Sequence, residues 1–198
     1  MVDFGTLPEW FHSPDALAQA QTLQKTVVRY VQIHDLRELA KLLTQCFHPA
    51  EGLFACFHPL LAMGVYEDLR IRQRLPAAQY RCLIASHCSA INSKDEIIGT
   101  VEIGLRPIYW GGSPRPYISN LAVKPSFRGH GIARQLLIKC EQVVWEWGAN
   151  ELILHVMEDN LAAKQLYLSS GYQIKKNETS FQSFLFQQPR RLFLQKSV

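Results

Sequence analysis

Hydrophobic and polar positions along this chain switch between a period of two and a period of about 3.6, and the switches mark out its elements. Residues 27–33 (VVRYVQI) are β-branched and aromatic and predict a strand. Asp35 with Glu38 reads as a capping box. Leu36, Leu39, Ala40, Leu43 and Phe47 follow at helical spacing, so an amphipathic helix is expected there. Pro49 and Pro59 punctuate the end of that helix and the start of a second, running roughly from Leu60 to Leu75. Tyr80–Ala90 and Glu96–Leu105 are β-rich runs joined by Asn92-Ser93-Lys94-Asp95, which predicts a hairpin. A loop, residues 109–116, leads into a strand at Tyr117–Val123. Ile132, Leu136, Cys140, Val143, Val144 and Trp147 then recur at helical spacing, with Gly148 placed as a C-cap. Residues 151–157 (ELILHVM) form a continuous apolar run, as a strand buried on both faces requires. Asn160–Ser170 predicts a short helix closed by Gly171, and two more strands follow in YQIKK and RRLFLQK.

The chain has 198 residues, 47% of them hydrophobic, which is enough to build one core and too short for two full-sized domains. We therefore expect one mixed α/β (α+β) domain over residues 27–198 with a mostly antiparallel sheet, preceded by an N-terminal extension, residues 1–26. The net charge of +4 suits an anionic ligand and falls short of a nucleic-acid-coating surface. No apolar run reaches the roughly 20 residues of a membrane span. The first residues carry Asp3, Glu9 and Asp15 and resemble neither a secretory signal nor an acid-poor transit peptide, so a cytoplasmic location is expected. Five cysteines are read as reduced core residues. Cys46-Phe47-His48-Pro49 recurs as Cys56-Phe57-His58-Pro59, but a Cys-x-His spacing lacks the paired cysteines of structural zinc sites, and no metal is expected.

The chemistry concentrates between Tyr117 and Tyr172. A strand ends at Val123, a turn holds Pro125, and Arg128-Gly129-His130-Gly131-Ile132-Ala133 opens a long helix. Glycines between a strand and a helix let several backbone N–H groups converge, and the helix dipole adds positive potential, an arrangement suited to a pyrophosphate. The alternative is a glycine-rich turn before an ordinary helix. Neither GxxxxGK(S/T) nor GxGxxG with its distant acid is present.

Arg128-x-x-Gly131-x-Ala133 resembles the acyl-CoA signature, Gln/Arg-x-x-Gly-x-Gly/Ala, of the GNAT superfamily of N-acetyltransferases. Asn160-x-x-Ala163-x-x-x-Tyr167-x-x-x-Gly171-Tyr172 resembles that superfamily's second CoA-contacting segment, and both lie in the expected order. The resemblance covers about residues 96–175. It implies a central, mostly antiparallel twisted sheet with flanking helices, in which the strands at Tyr117–Val123 and Glu151–Met157 are parallel and splay apart. It also implies acetyl transfer from acetyl-CoA, the co-substrate, to an amine within a ternary complex. Backbone groups of Leu121, Ala122 and Val123 would meet the acetyl and pantetheine parts, amides of Arg128, Gly129, His130, Gly131, Ile132 and Ala133 the pyrophosphate, and Asn160 the pantetheine arm.

Tyr167 matches the family's general-acid position, where a phenol protonates the leaving thiolate; the alternative is a core aromatic. His155 lies inside an apolar strand, where a ring without a polar partner is costly, and its ordinary pKa of ~6.5 suits a base. Tyr117 opens the other cleft strand. This Tyr–His pairing resembles a subset of protein N-terminal acetyltransferases, and packing is the alternative for both residues. The segment is also similar to cyanobacterial and plastid-type acetyltransferases. The expected function is acetylation of a peptide or protein amine, an N-terminal α-amine or a lysine ε-amine. A small-amine acetyltransferase and a non-catalytic acyl-CoA sensor are the rivals. Acceptor specificity is expected from residues 46–66 and 174–190, with Trp110 and Glu102 as further candidates; the sequence leaves oligomeric state open.

Overall fold

The computed structural model describes residues 26–47, 58–88, 95–107, 113–178 and 190–198. The expectations for residues 1–25, His48, Pro49, Cys56, Trp110, the turn at 92–94 and the loop at 179–189 lie outside these. Among the described residues seven strands form one sheet: β1 (Thr26–Tyr30), β2 (Tyr80–Cys88), β3 (Asp95–Arg106), β4 (Arg115–Val123), β5 (Glu151–Met157), β6 (Gln173–Glu178) and β7 (Arg191–Ser197). Their order is β1-β2-β3-β4-β5-β7-β6, and every neighbouring pair is antiparallel except β4–β5. Among the described residues four helices cover the faces: α1 (Leu36–Phe47), α2 (His58–Arg72), α3 (Ile132–Glu146) and α4 (Leu161–Ser169).

The sheet separates two cores. Against one face, α1 and Leu69 of α2 pack on Tyr80, Cys82, Ile84, Ile97 and Ala122. Against the other, the apolar stripe of α3 and Tyr167 of α4 pack on Leu83, Val101, Ile118, Leu152 and Leu154. Leu136, Leu137, Val143 and Val144 of α3 are fully buried, each contributing roughly 1.5–3 kcal/mol. The helix ends where Gly148 takes φ +70°, and α4 is closed by Gly171 at φ +89°, both left-handed positions that suit glycine. Cys82 and Cys140 are buried in these cores.

The boundaries fall within a few residues of expectation, but the capping box at 35–38 does not form. The Asp35 carboxylate accepts from the Gln32 amide at 2.7 Å and from Arg29 at 2.6 and 2.9 Å. These bonds turn the chain through a short 3₁₀ segment, Ile33–Asp35, and shorten the first strand. Glu38 instead accepts from the Ile97 amide at 3.1 Å, tying α1 to β3. Phe47, assigned to the buried stripe of α1, is exposed.

Candidate active site

β4 and β5 part. Tyr117 and Ile153 are their one registered pair among the described residues, and no ladder continues toward the carboxyl ends. At the amino ends the Arg115 guanidinium holds the Glu151 carboxylate through two hydrogen bonds, and Gln195 Nε2 donates to the same carboxylate at 2.7 Å. A clamp at one end and a gap at the other give a V-shaped cleft through the sheet.

Strand alternation determines what faces each mouth of the cleft. On β5, Leu152, Leu154 and Val156 enter the core under α3, which leaves Ile153 and His155 on the opposite face. On β7, Leu192 and Leu194 likewise turn toward α3, and Phe193 joins Tyr117 and Ile153. The result is a small cluster at the gap. His155 Nδ1 lies 3.2 Å from the Tyr117 hydroxyl, the two rings are 5.6 Å apart, and the Phe193 ring lies 5.2 Å from the imidazole. Arg191 Nη2 donates to the Tyr117 hydroxyl at 3.3 Å, and the Arg106 guanidinium carbon sits 4.7 Å from the Tyr117 ring centre. A guanidinium can only donate. The Tyr117 oxygen therefore accepts from Arg191 and is free to donate its own proton to His155 Nδ1.

Tyr167 lies on the other face of the sheet. It is buried in the α3 core and packs edge-on against Tyr172 at 5.6 Å. Burial, with smaller contributions from Cys140 and Tyr117, pushes its phenol up to about 12. A phenol raised in this way stays protonated at neutral pH and is available as a donor.

β4 carries a bulge at the cleft. Thr100 pairs with Ala122 and Glu102 with Ser119, so Asn120 and Leu121 together face Val101, and Asn120 takes φ +51°. An extra residue reverses the side-chain alternation beyond it, which is why Ala122 lies toward α1 while Leu121 and Val123 lie toward α3. Of the three β4 residues expected to meet the acyl donor, Val123 already lends its carbonyl to Arg128 Nε at 3.1 Å. Glu102, a candidate for recognising a cationic amine, is fully buried and engaged within the chain. Tyr80 donates to it at 2.7 Å, Asn120 Nδ2 at 2.8 Å, and Arg72 completes the set. It anchors the bulge and ties it to α2.

After Val123 a 3₁₀ turn (Pro125–Phe127) leads into the glycine loop. Gly129 and Gly131 take φ +82° and +77°, and Gly131 is the N-cap of α3. A glycine cap has no side chain to satisfy the first-turn amides, which remain directed outward. A Cβ built on Gly129 meets nothing within 4 Å, so the space over the loop is open. Amides at a helix N-terminus that no side chain caps fit a pyrophosphate, with Ile132 and Ala133 forming the first turn. His130 Nδ1 is paired with the Arg128 carbonyl at 2.9 Å, so the ring is turned back onto the loop. Asn160 is the N-cap of α4 and accepts from the Ala163 amide at 3.1 Å.

Of the residues expected from the sequence, the structure brings Tyr117 and His155 together, places Tyr167 in the core on the other face, and sets Gly131 at the start of α3. Arg106, Arg191, Phe193 and the bulge at Asn120 were missed. The alternation of RRLFLQK places Arg191 and Phe193 on one face and was a usable signal once His155 had been assigned to the same face. No local signal marks the bulge.

The sequence model of the Acetyltransferase (GNAT) family matches residues 36–172. The chain is similar to "GCN5-related N-acetyltransferase 7, chloroplastic" of Arabidopsis thaliana, 31% identical over 141 residues. That match covers 63% of this chain and 52% of the relative, so the chain spans about half the length of that protein. It is also similar to "Thialysine N-epsilon-acetyltransferase" of Bos taurus, 30% identical over 113 residues, covering 54% of this chain and 64% of the relative. Among solved structures, "Crystal structure of the NatC complex bound to Gag peptide and CoA" contains a chain sharing the fold with TM-score 0.60 at 20% identity. The match covers 88% of this chain and 99% of that one. With the splayed strands, the glycine cradle and the match over residues 36–172 in agreement, the chain belongs to the GNAT family of acetyltransferases.

Proposed function

We propose that this protein transfers the acetyl group of acetyl-CoA to a peptide or protein amine, by direct attack within a ternary complex. The observation that carries this reading is the Tyr117–His155 pair beside the gap between β4 and β5, on the face opposite the glycine cradle. Acetyl-CoA supplies the activated acyl group, with its pyrophosphate on the amides of residues 128–133 and its arm running along β4 toward Asn160. The amine arrives at the other mouth.

An amine is protonated at neutral pH and must lose a proton before it attacks. The Tyr117 oxygen donates to His155 Nδ1 and accepts from Arg191, which leaves one lone pair for an N–H of the amine or an intervening water. As that proton moves to the Tyr117 oxygen, the phenolic proton moves to His155 Nδ1, and the charge ends on an imidazolium. On the other face, Tyr167 gives its proton to the departing thiolate. The apolar floor of Ile153 and Phe193 suits the first side chain of a peptide. The NatC structure with its peptide and CoA supports the peptide reading, and the thialysine acetyltransferase represents the small-amine alternative.

The test is a mass-spectrometric acceptor screen of the purified protein with acetyl-CoA. Its substrates are peptides with free N-termini, N-blocked peptides containing lysine, and spermidine. Acetylated peptides are expected. Acetylation of spermidine alone would overturn the proposal, and no transfer despite acetyl-CoA binding would favour a sensor.

A further inference from the structure

The proton relay is flanked by two arginines. Arg106 lies over the Tyr117 ring and Arg191 donates to its hydroxyl, so both guanidinium groups converge on one phenol, and both side chains are exposed. Neither forms an ion pair among the described residues. Two nearby arginines are already engaged. Arg115 is held by Glu151, which also accepts from Gln195, and Arg72 is held by Glu102 and Asp68. Glu158, which follows β5 at this end, meets the neighbouring strand through its amide, which donates to the Arg190 carbonyl. Ile153 and Phe193 add no charge.

Stacking on a ring leaves the hydrogen-bonding edge of a guanidinium free, and among the described residues Arg191 uses one of its five donors, on the phenol. Two like charges beside one ring repel each other unless an anion joins them, and an arginine fork matches a carboxylate in geometry. Both cations lie within a side chain's reach of the oxygen that receives the amine's proton. From this geometry, and building on the peptide reading above, we propose that Arg106 and Arg191 are specificity-determining residues. They select an acceptor with a carboxylate beside its amine: a peptide whose first or second residue is Asp or Glu. Polyamines and lysine-rich peptides meet two positive charges that form no ion pair among the described residues, and are disfavoured.

The experiment compares kcat/KM for three peptides that differ only in the second residue, Glu, Gln or Lys, with spermidine and free glutamate alongside. The expected order is Glu over Gln over Lys, with about a tenfold advantage of Glu over Gln, as for one charge-assisted hydrogen bond. That advantage shrinks as salt is raised, because exposed charges are screened over about 8 Å at physiological ionic strength. Arg106→Gln and Arg191→Gln each lower the Glu-to-Gln ratio, and the double variant brings it close to one. Equal rates for the three peptides in the unmodified protein, or a ratio that survives both substitutions, would overturn the assignment while leaving peptide acetylation intact. Transfer to spermidine or free glutamate in preference to every peptide would overturn both readings.

Discussion

Tyr167 stands on the opposite face of the sheet from Tyr117 and His155, and in the mechanism we propose that separation gives the two proton movements separate residues. Its phenol, pushed up to about 12 chiefly by burial, keeps its proton through the range in which the enzyme works. Replacing Tyr167 with Phe removes the donor and preserves the ring against Tyr172. It is expected to lower kcat by about 10²–10³ while leaving acetyl-CoA affinity nearly unchanged, measured by steady-state kinetics and direct titration. A kcat within twofold of the unmodified enzyme would return Tyr167 to a packing role. This residue and His155 were legible in the sequence: one by its register with the family's second CoA segment, the other as a polar ring in an apolar strand. Glu102 was misread because a carboxylate on a cleft-side strand looks available. Its partners Arg72, Tyr80 and Asn120 come from elsewhere in the chain, and only folding brings them together.

At the scale of elements, the cradle depends on how closely α3 approaches the sheet. Gly99 on β3 makes that approach possible: a Cβ there would lie 3.2 Å from the Ala122 carbonyl oxygen, 3.2 Å from Ile132 and 3.3 Å from Leu136. Gly99→Ala is therefore expected to cost about 1–3 kcal/mol in stability and to raise KM for acetyl-CoA by displacing the first turn of α3. Denaturant melts and kinetics would show both effects, and unaltered stability with unaltered KM would mean that the helix yields without consequence. Most strands and helices were legible because their apolar periods are long and clean. The capping box failed because Arg29 and the Gln32 amide compete for the Asp35 carboxylate. The bulge was invisible because it is defined by the register of β3 against β4.

For the whole molecule, burial of several acid-neutral groups gives a prediction about alkaline pH. Burial raises Tyr80, Tyr167 and Tyr172 above their ordinary 10.0, and Cys82 and Cys140 above 9.0. The folded state holds these protons more tightly than the unfolded chain does. Their contribution to stability is thus fully present below pH 9 and is lost as pH rises through the raised values. Unfolding free energy should be insensitive to these groups near neutrality and fall steadily from about pH 9 upward, read by urea melts across pH. A flat curve to pH 11 would mean that these side chains are more hydrated than the packing indicates. Of the overall architecture, the sheet class and the splayed pair followed from the sequence and its family resemblance. That Tyr117, Ile153 and Phe193 share one face of the cleft, opposite α3, required the strand alternation of β4, β5 and β7 together.

The central claim is that Tyr117 and His155 act as one relay at the acceptor mouth. A double-mutant cycle on kcat with an acetylatable peptide, using Tyr117→Phe, His155→Ala and both, tests it most directly. Each single substitution is expected to lower kcat by about 10²-fold, and the pair together by little more than either alone, since removing one member already breaks the path. Additive losses, with the double variant slower by the product of the two, would show two independent residues and contradict the relay.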